Sequence, residues 1–126
     1  MIQVQTLLNI SDNSGGKIGK CIKIIQGYKN RYGKINNLIL VTIQKLRKKR
    51  KNISKVKKGN ILKSILIRTK NKIQKKDGTF IKFKENSIIL INKDFKPIGT
   101  KIYGPVSKKL KSEKYMKIAS ISTGFF

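Results

Sequence analysis

Apolar and polar residues alternate along several short stretches of the chain, which is the pattern of strands that bury one face. In residues 38–46, for example, Val41 and Ile43 fall on one face and Thr42 on the other. Patterns of this kind predict six strands, at Thr6–Ile10, Lys20–Gln26, Leu38–Leu46, Ile61–Arg68, Thr79–Phe83 and Ser87–Ile91. Short strands at this spacing predict an all-β fold, a small barrel whose closure would leave no exposed strand edge.

The positions of turn residues agree with the predicted strands. Asn13-Ser14-Gly15-Gly16 follows the first strand, and Asp77-Gly78 is a two-residue hairpin signal. After Gly104-Pro105 the alternation stops, and residues 106–116 predict one or two short helical turns that must pack on the barrel or on a partner. We therefore expect one domain over 1–126, with the barrel in about 1–104, a basic loop at 45–58, and a C-terminal part at about 105–126.

Charge adds the first indication of function. The chain has 31 Lys and Arg against 5 Asp and Glu, a formal net charge of +26. Repulsion on this scale opposes a compact state unless a polyanion neutralises it, which points to nucleic acid before an anionic membrane. Drift towards AT-rich codons would enrich Lys, Ile and Asn, but it gives no reason for acids to be scarce. No apolar run is long enough to span a bilayer, and no stretch forms an amphipathic membrane helix.

The residue types argue against catalysis. The chain has no His, which excludes a His-based general base, catalytic triad or metal site. A single cysteine, Cys21, can form neither an intrachain disulfide nor a cysteine metal cluster, and its apolar neighbours predict a buried thiol. The five acids show no local pairing of the kind found in metal-dependent nucleases. We expect no enzymatic activity and no cofactor. The N-terminus also lacks a secretory leader, which predicts a protein used where it is made or already processed.

Three segments are candidates for RNA contact, and each has a plainer alternative. Gly15-Gly16-Lys17 is either an ordinary turn or a close approach point for an RNA backbone. The basic run 45–58 is either a hairpin extension along phosphates or a solvated loop. Tyr28, Arg31 and Tyr32 either stack on unpaired bases or pack on the end of the barrel. At least one of Phe80 and Phe83 is expected in the core.

The ordered motifs resemble those of ribosomal protein fourteen of the large subunit, in its bacterial and organellar form, along nearly the whole chain. The matching stretches include Asp12-Asn13-Ser14-Gly15, Cys21-Ile22-Lys23, Arg31-Tyr32, Val56-Lys57-Lys58-Gly59, Ile67-Arg68-Thr69-Lys70, Asp77-Gly78, Pro97-Ile98-Gly99-Thr100 and Gly104-Pro105-Val106. The resemblance implies a five-stranded antiparallel β-barrel with a protruding basic ribbon or loop and small C-terminal helices. It also implies direct binding of large-subunit rRNA, an intersubunit bridge to small-subunit rRNA, and contacts with large-subunit proteins three and nineteen. A sequence-neutral DNA-compacting or single-strand-binding barrel is the alternative in another class.

From charge and resemblance together we expect these residues to face RNA: Lys17, Arg31, Tyr32, Arg47, Lys48, Lys49, Arg50, Lys57, Lys58, Arg68, Lys70 and Lys101. A docking surface for a ribosome-silencing factor, if one is used, would involve Thr100, Lys101, Lys117 and Ser120. The basic run is longer than in typical bacterial relatives, and Lys84 and Lys109 stand where acids are common. The AT-like composition favours a mitochondrial ribosome over a plastid one or that of an AT-rich bacterium.

Overall fold

The computed structural model describes residues 1–25, 27–48 and 54–126. Its seven strands are β1 (Leu7–Ile10), β2 (Gly16–Ile24), β3 (Leu38–Leu46), β4 (Ile61–Arg68), β5 (Ile73–Gln74), β6 (Phe80–Ile81) and β7 (Ser87–Ile91). The predicted bounds of β3, β4 and β7 are confirmed, and the all-β barrel is confirmed with them. These three strands have the longest uninterrupted apolar patterns in the chain.

The barrel is closed in the order β1-β2-β3-β4-β7, and one of its ladders is parallel. Neighbouring strands run antiparallel from β1 to β7, so five strands in alternating directions leave the first and last pointing the same way. The closing ladder therefore pairs β1 with β7 in parallel, at Asn9 with Ser87 and Ile10 with Ile88. The expected barrel of wholly antiparallel strands is corrected at this one seam.

β2 begins earlier than predicted because its glycines belong to the strand. Gly16 pairs with Leu46, and irregularities in the ladder follow as far as Lys23. A Cβ on Gly19 would collide with the Val41 side chain, so glycine lets the strand pass close to its neighbour inside the barrel. Gly15-Gly16 is typical of a turn, so the sequence pattern did not indicate that β2 begins at Gly16.

The strand predicted at 79–83 is wrong in extent and lies outside the barrel. β6 pairs only with β5, across a turn in which Asp77 Oδ1 accepts hydrogen bonds from Thr79 N at 3.2 Å and Thr79 Oγ1 at 2.7 Å. Phe80 is 63% exposed, and Phe83 packs edge-on against the Phe126 ring rather than inside the barrel. Neither phenylalanine is a core residue, and β5 and β6 form a small two-stranded ribbon beside the barrel. The expected ribbon or loop at 45–58 stays a prediction, because residues 49–53 lie outside the described ranges.

Two apolar cores lie on opposite faces of β4 and β7. Leu66, Ile88 and Leu90 point into the barrel, where they meet residues of the other strands. Ile65 and Ile67 alternate with Leu66 and belong to a second cluster outside the barrel. Burial on both faces explains why β7 and the second half of β4 are apolar at nearly every position. Ile61, at the start of β4, is 60% exposed.

The C-terminal part covers this outer cluster. It contains two 3₁₀ turns, Lys108–Leu110 and Glu113–Tyr115, followed by α1 (Met116–Ile121). Leu110 and Ile118 are buried against the outer face of the barrel, so the predicted packing of short helical turns on the barrel is confirmed. Ser107 caps the first turn with its side chain, accepting from Lys109 N at 3.4 Å, and Ser112 is the N-cap residue of the second turn without a side-chain hydrogen bond.

Asp12 ties the parallel seam together from inside the protein. Its carboxylate is fully buried, and Oδ2 accepts a hydrogen bond from Leu90 N at 3.0 Å. Oδ1 accepts from Ser14 N at 2.9 Å and also from Ser14 Oγ. The carboxylate thus joins the turn after β1 to the backbone of β7.

Replacing this carboxylate should weaken the whole barrel. Asp12→Ala leaves two buried N–H donors without an acceptor. We expect it to lower the free energy of unfolding by about 2–4 kcal/mol, measured by urea denaturation. Asp94→Ala, at an exposed turn, removes the same charge and should change stability by less than about 0.5 kcal/mol. Equal losses in the two variants would show that charge, not the buried hydrogen bonds, is responsible.

Candidate nucleic-acid interface

Five cations line one open groove, and four of them, from separate parts of the chain, are exposed or half-exposed there. Lys17 comes from β2, Arg47 and Lys48 from the end of β3, and Lys84 from the segment before β7. The groove has a volume of about 1010 Å³, and the half-exposed ring of Tyr103 forms part of its wall. We call this set the basic groove: Lys17, Arg47, Lys48, Lys84 and Tyr103. The structure thus brings together three residues that sequence selected, and adds Lys84 and Tyr103.

The backbone holds Arg47 in place. Its N–H donates to Gly15 O at 3.0 Å, its Nη2 donates to Ile10 O at 3.1 Å, and its guanidinium carbon lies 5.4 Å from the centre of the Tyr103 ring. Arg47 is therefore only half exposed, and it orders the wall of the groove as well as charging it. The sequence does not indicate this contact between Arg47 and Tyr103, because the two residues are far apart along the chain.

The positive surface continues past Lys84. A neighbouring groove of about 530 Å³ is lined by Lys70, Lys82, Phe83 and Lys84. Lys70 was expected to face RNA, and it is exposed here beside an aromatic side chain. The two grooves share Phe83 and Lys84, so they form one continuous cationic strip.

Arg68 has a different role from the one expected, since it is buried and satisfied by the protein. Its Nη1 donates to Tyr103 O at 3.0 Å and to Pro105 O at 3.1 Å. Its Nη2 donates to Ser11 Oγ at 2.7 Å and to Glu85 Oε1 at 3.3 Å. With 6% of the residue exposed, Arg68 holds the floor of the groove and offers little charge to a ligand. We therefore leave it out of the RNA-facing set.

Glu85 is the acid partner of Arg68 in the only ion pair among the described residues. Its carboxylate also accepts from Asn9 Nδ2 at 2.8 Å and from Ser87 Oγ at 2.8 Å. These hydrogen bonds, first that of Asn9, then that of Ser87, with a smaller effect of Arg68, lower the pKa of Glu85 from its ordinary value. The one side-chain carboxylate in the basic groove is thus already bound by the protein.

The basic run is anchored at both of its described ends. Ser14 O accepts from Lys55 N at 2.9 Å, and the left-handed Gly15 (φ 104°) accepts from Arg47 N. Val56 is buried in the inner core, which fixes the return of the run to the barrel. Lys57 and Lys58 are exposed but do not line the basic groove. The predicted contacts Lys49 and Arg50 lie outside the described residues.

The loop that contains Tyr28 and Tyr32 does not pack on the end of the barrel. Tyr28 is 88% exposed, Tyr32 is 51% exposed, and Arg31 between them is also exposed. Lys29 Nζ lies 5.4 Å from the centre of the Tyr28 ring. Two aromatic faces and two cations are therefore presented to solvent together, and the loop does not line the basic groove.

The expected factor surface is exposed and partly ordered by Asn13. Asn13 Oδ1 accepts from Thr100 N at 2.7 Å and from Lys101 N at 3.1 Å. Ile102 forms a bridge with Ser122, which places 100–101 beside the segment that contains Lys117 and Ser120. The four residues thus occupy adjoining exposed segments, and Asn13, which sequence did not select, positions two of them.

The part of the chain that the structure describes offers few groups suited to catalysis or to metal binding. Among the described residues no three of His, Cys, Asp and Glu converge as metal ligands. Cys21 is buried as expected, and burial raises the pKa of its thiol. Within the described ranges, no helix is both long and apolar enough to cross a membrane.

The fold and surface are those of a small closed β-barrel that displays cations and aromatic rings and engages Asp12 and Glu85 in hydrogen bonds of its own. A comparison with family models identifies the particular family. The model described as ribosomal protein L14p/L23e matches residues 1–126, and the chain belongs to that family. It is accordingly a structural component of the large ribosomal subunit that serves translation, not an enzyme.

The lowered pKa of Glu85 predicts how its contribution depends on pH. An acid whose pKa is depressed on folding stabilises the fold fully above its unfolded value, near 4.3, and loses that contribution as pH falls through the folded value. We expect Glu85→Gln to lower the urea midpoint at pH 6, and the difference from the native chain to shrink progressively below pH 4. Glu113→Gln, at an exposed position, should shift the midpoint little at either pH. A Glu85 effect that stays constant with pH would contradict the prediction.

Proposed function

We propose that this chain binds large-subunit rRNA directly through the basic groove and the cationic strip that continues to Lys70. The main support for this proposal is that four exposed or half-exposed cations line one groove. The only side-chain carboxylate that lines the groove, that of Glu85, already accepts hydrogen bonds from the protein. Such a surface attracts phosphate strongly, because no acid within it competes for the cations.

The mechanism is electrostatic and geometric. Each lysine or arginine that meets a phosphate displaces condensed counterions, and the barrel sets the spacing between those cations. Tyr103 in the groove, and Tyr28 and Tyr32 in their loop, offer ring faces to unpaired bases. Lys57, Lys58 and Lys101 add exposed charge elsewhere on the surface. The protein would thus hold rRNA in register without changing it chemically.

We extend the proposal to the neighbours that the resemblance implies. These are large-subunit proteins three and nineteen, and small-subunit rRNA at an intersubunit bridge. The exposed segments at Thr100, Lys101, Lys117 and Ser120 are the proposed contact for a ribosome-silencing factor. The lysine-rich, AT-like composition supports a mitochondrial ribosome, with a plastid or an AT-rich bacterium as the alternative.

The salt dependence of RNA affinity tests whether the basic groove is the binding surface. If phosphates are bound, the logarithm of affinity for an rRNA fragment should fall linearly with the logarithm of salt concentration, with a slope of about 0.7–0.9 per phosphate contacted. Lys17→Gln with Lys48→Gln should reduce that slope by about 1.4–1.8. Lys93→Gln with Lys96→Gln removes the same charge from an exposed turn outside the groove and should leave the slope nearly unchanged. Equal slopes for the two double variants would overturn the groove as the binding surface.

Sedimentation tests the wider assignment. In a gradient of lysate from its own organism, the native protein should migrate with the large subunit and with the intact ribosome. Stripping the particles at high salt should release it, because its affinity depends on counterion release. A protein found only in the free fraction at low salt would contradict the proposed place in the particle.

A further inference from the structure

The ring of Phe83 lies at the junction between the basic groove and the neighbouring groove of about 530 Å³, and Phe83 lines both. It is half-buried and belongs to neither apolar core cluster. A ligand that runs from one groove into the other therefore passes this residue. The rRNA contacts proposed above use the lysines of the junction and give Phe83 no part.

Phe83 is held in place by two separate parts of the chain. Its backbone N–H donates to Thr69 O at 3.3 Å, and its ring packs edge-on against the Phe126 ring, with 4.8 Å between the ring centres. Phe126 is itself fixed, because its N–H donates to Val106 O at 3.0 Å and its carbonyl accepts from Lys108 N at 3.0 Å. The Phe83 ring is thus oriented before a ligand arrives, which lowers the entropic cost of stacking on it.

Cations surround Phe83 in the smaller groove. The rest of its lining consists of three exposed lysines, Lys70, Lys82 and Lys84. The backbone of Lys70 is fixed there, because its N–H donates to Asn86 Oδ1 at 2.8 Å. Within the described ranges, no lysine or arginine lies over the Phe83 ring as Arg47 lies over that of Tyr103. The smaller groove therefore combines one aromatic surface with three cations, and no carboxylate lines it.

This combination suits a ligand that has a flat aromatic face close to an anionic group. An inorganic anion would meet the lysines but leave the ring unused. A neutral apolar molecule would meet the ring but leave the positive charge unbalanced. A nucleotide within an unpaired strand offers both, since its base stacks on aromatic side chains and its phosphates attract ammonium groups. A strand in the basic groove that continues past Lys84 reaches Phe83, because the two grooves share both residues.

We propose that Phe83 stacks on one unpaired base of the rRNA strand in the cationic strip, and that the adjoining phosphates lie among Lys70, Lys82 and Lys84. This inference rests on the proposed function, because it assumes that rRNA occupies the strip. It adds a base contact to a surface otherwise described by its charge. Every base has a face that can stack, so the contact favours unpaired RNA without selecting a sequence. Phe126 is a positioning residue, which orients the ring without touching RNA.

Removing the ring from the full chain tests the stacking. Two probes are compared, a short single-stranded oligoadenylate and a strand of the same length that carries the sugar-phosphate backbone without bases. We expect Phe83→Leu to weaken binding of the oligoadenylate at least about fivefold, the lower end of what one stacked base contributes. The strand without bases should lose less than about twofold, because its phosphates do not contact the ring. Phe80→Leu, on the same ribbon but outside both grooves, should change neither affinity.

A fluorescence measurement tests the same contact without removing the ring. The chain has no Trp, so Phe83→Trp introduces a single indole at the junction. Oligoadenylate should quench its fluorescence with the same midpoint as the binding curve, whereas the strand without bases should bind with little quenching. Phe80→Trp, at a residue that is 63% exposed, should show much weaker quenching by either strand. Absence of quenching in Phe83→Trp, or equal quenching in the two variants, would overturn the proposal even if Phe83→Leu fails to fold.

The stacking and the proposed function fail in different ways. If both strands bind with the expected salt dependence and Phe83→Leu weakens them equally, only the stacking is overturned. If neither strand shows salt-dependent binding to the native chain, the proposed rRNA contact is overturned together with the stacking.

Discussion

The parallel ladder between β1 and β7 closes the barrel, and we call it the parallel seam. An odd number of alternating strands can close only with one parallel pair, and this ladder joins just Asn9 to Ser87 and Ile10 to Ile88. So short a ladder needs other support, and buried polar groups supply it. Asp12 bonds across the seam to β7, and Arg68 reaches from β4 to Ser11 just beyond the end of β1. Both the inner core and the groove above the seam require this closure.

Near the parallel seam, some charged side chains of this chain, whose net charge is +26, stabilise the fold, and others remain exposed at the surface. Asp12 and Arg68 are buried, and together with the half-exposed Glu85 they are used in hydrogen bonds within the protein. Lysines such as Lys17 and Lys84 remain at the surface, where water screens their repulsion and where they can meet phosphates in the proposed rRNA contact. The groove lies directly over the internal network, so the same contacts that close the barrel also set the spacing of its cations.

The basic run at 45–58 also combines a high positive charge with firm anchoring to the barrel. Its described ends are tied to the turn at Ser14 and Gly15, and Val56 inserts into the inner core. The described ends of this like-charged segment are thus held by backbone hydrogen bonds and apolar burial, which salt does not screen as it screens ion pairs. The same anchoring fixes the backbone beside the exposed lysines Lys57 and Lys58, which would lower the entropic cost of the proposed RNA contact.

Strands β3, β4 and β7, the burial of Cys21, the short helical turns and the excess of positive charge could all be predicted from the amino-acid sequence. These follow from local patterning and composition, which need no knowledge of distant contacts. The parallel closing ladder, the burial of Arg68 and the meeting of Lys84 with Lys17 in one groove could not be predicted from local patterns. An arginine in a strand has the same local pattern whether it faces water or the carbonyl and carboxylate groups of its own protein. Its role depends on partners brought near it by folding, and those partners lie far away along the chain.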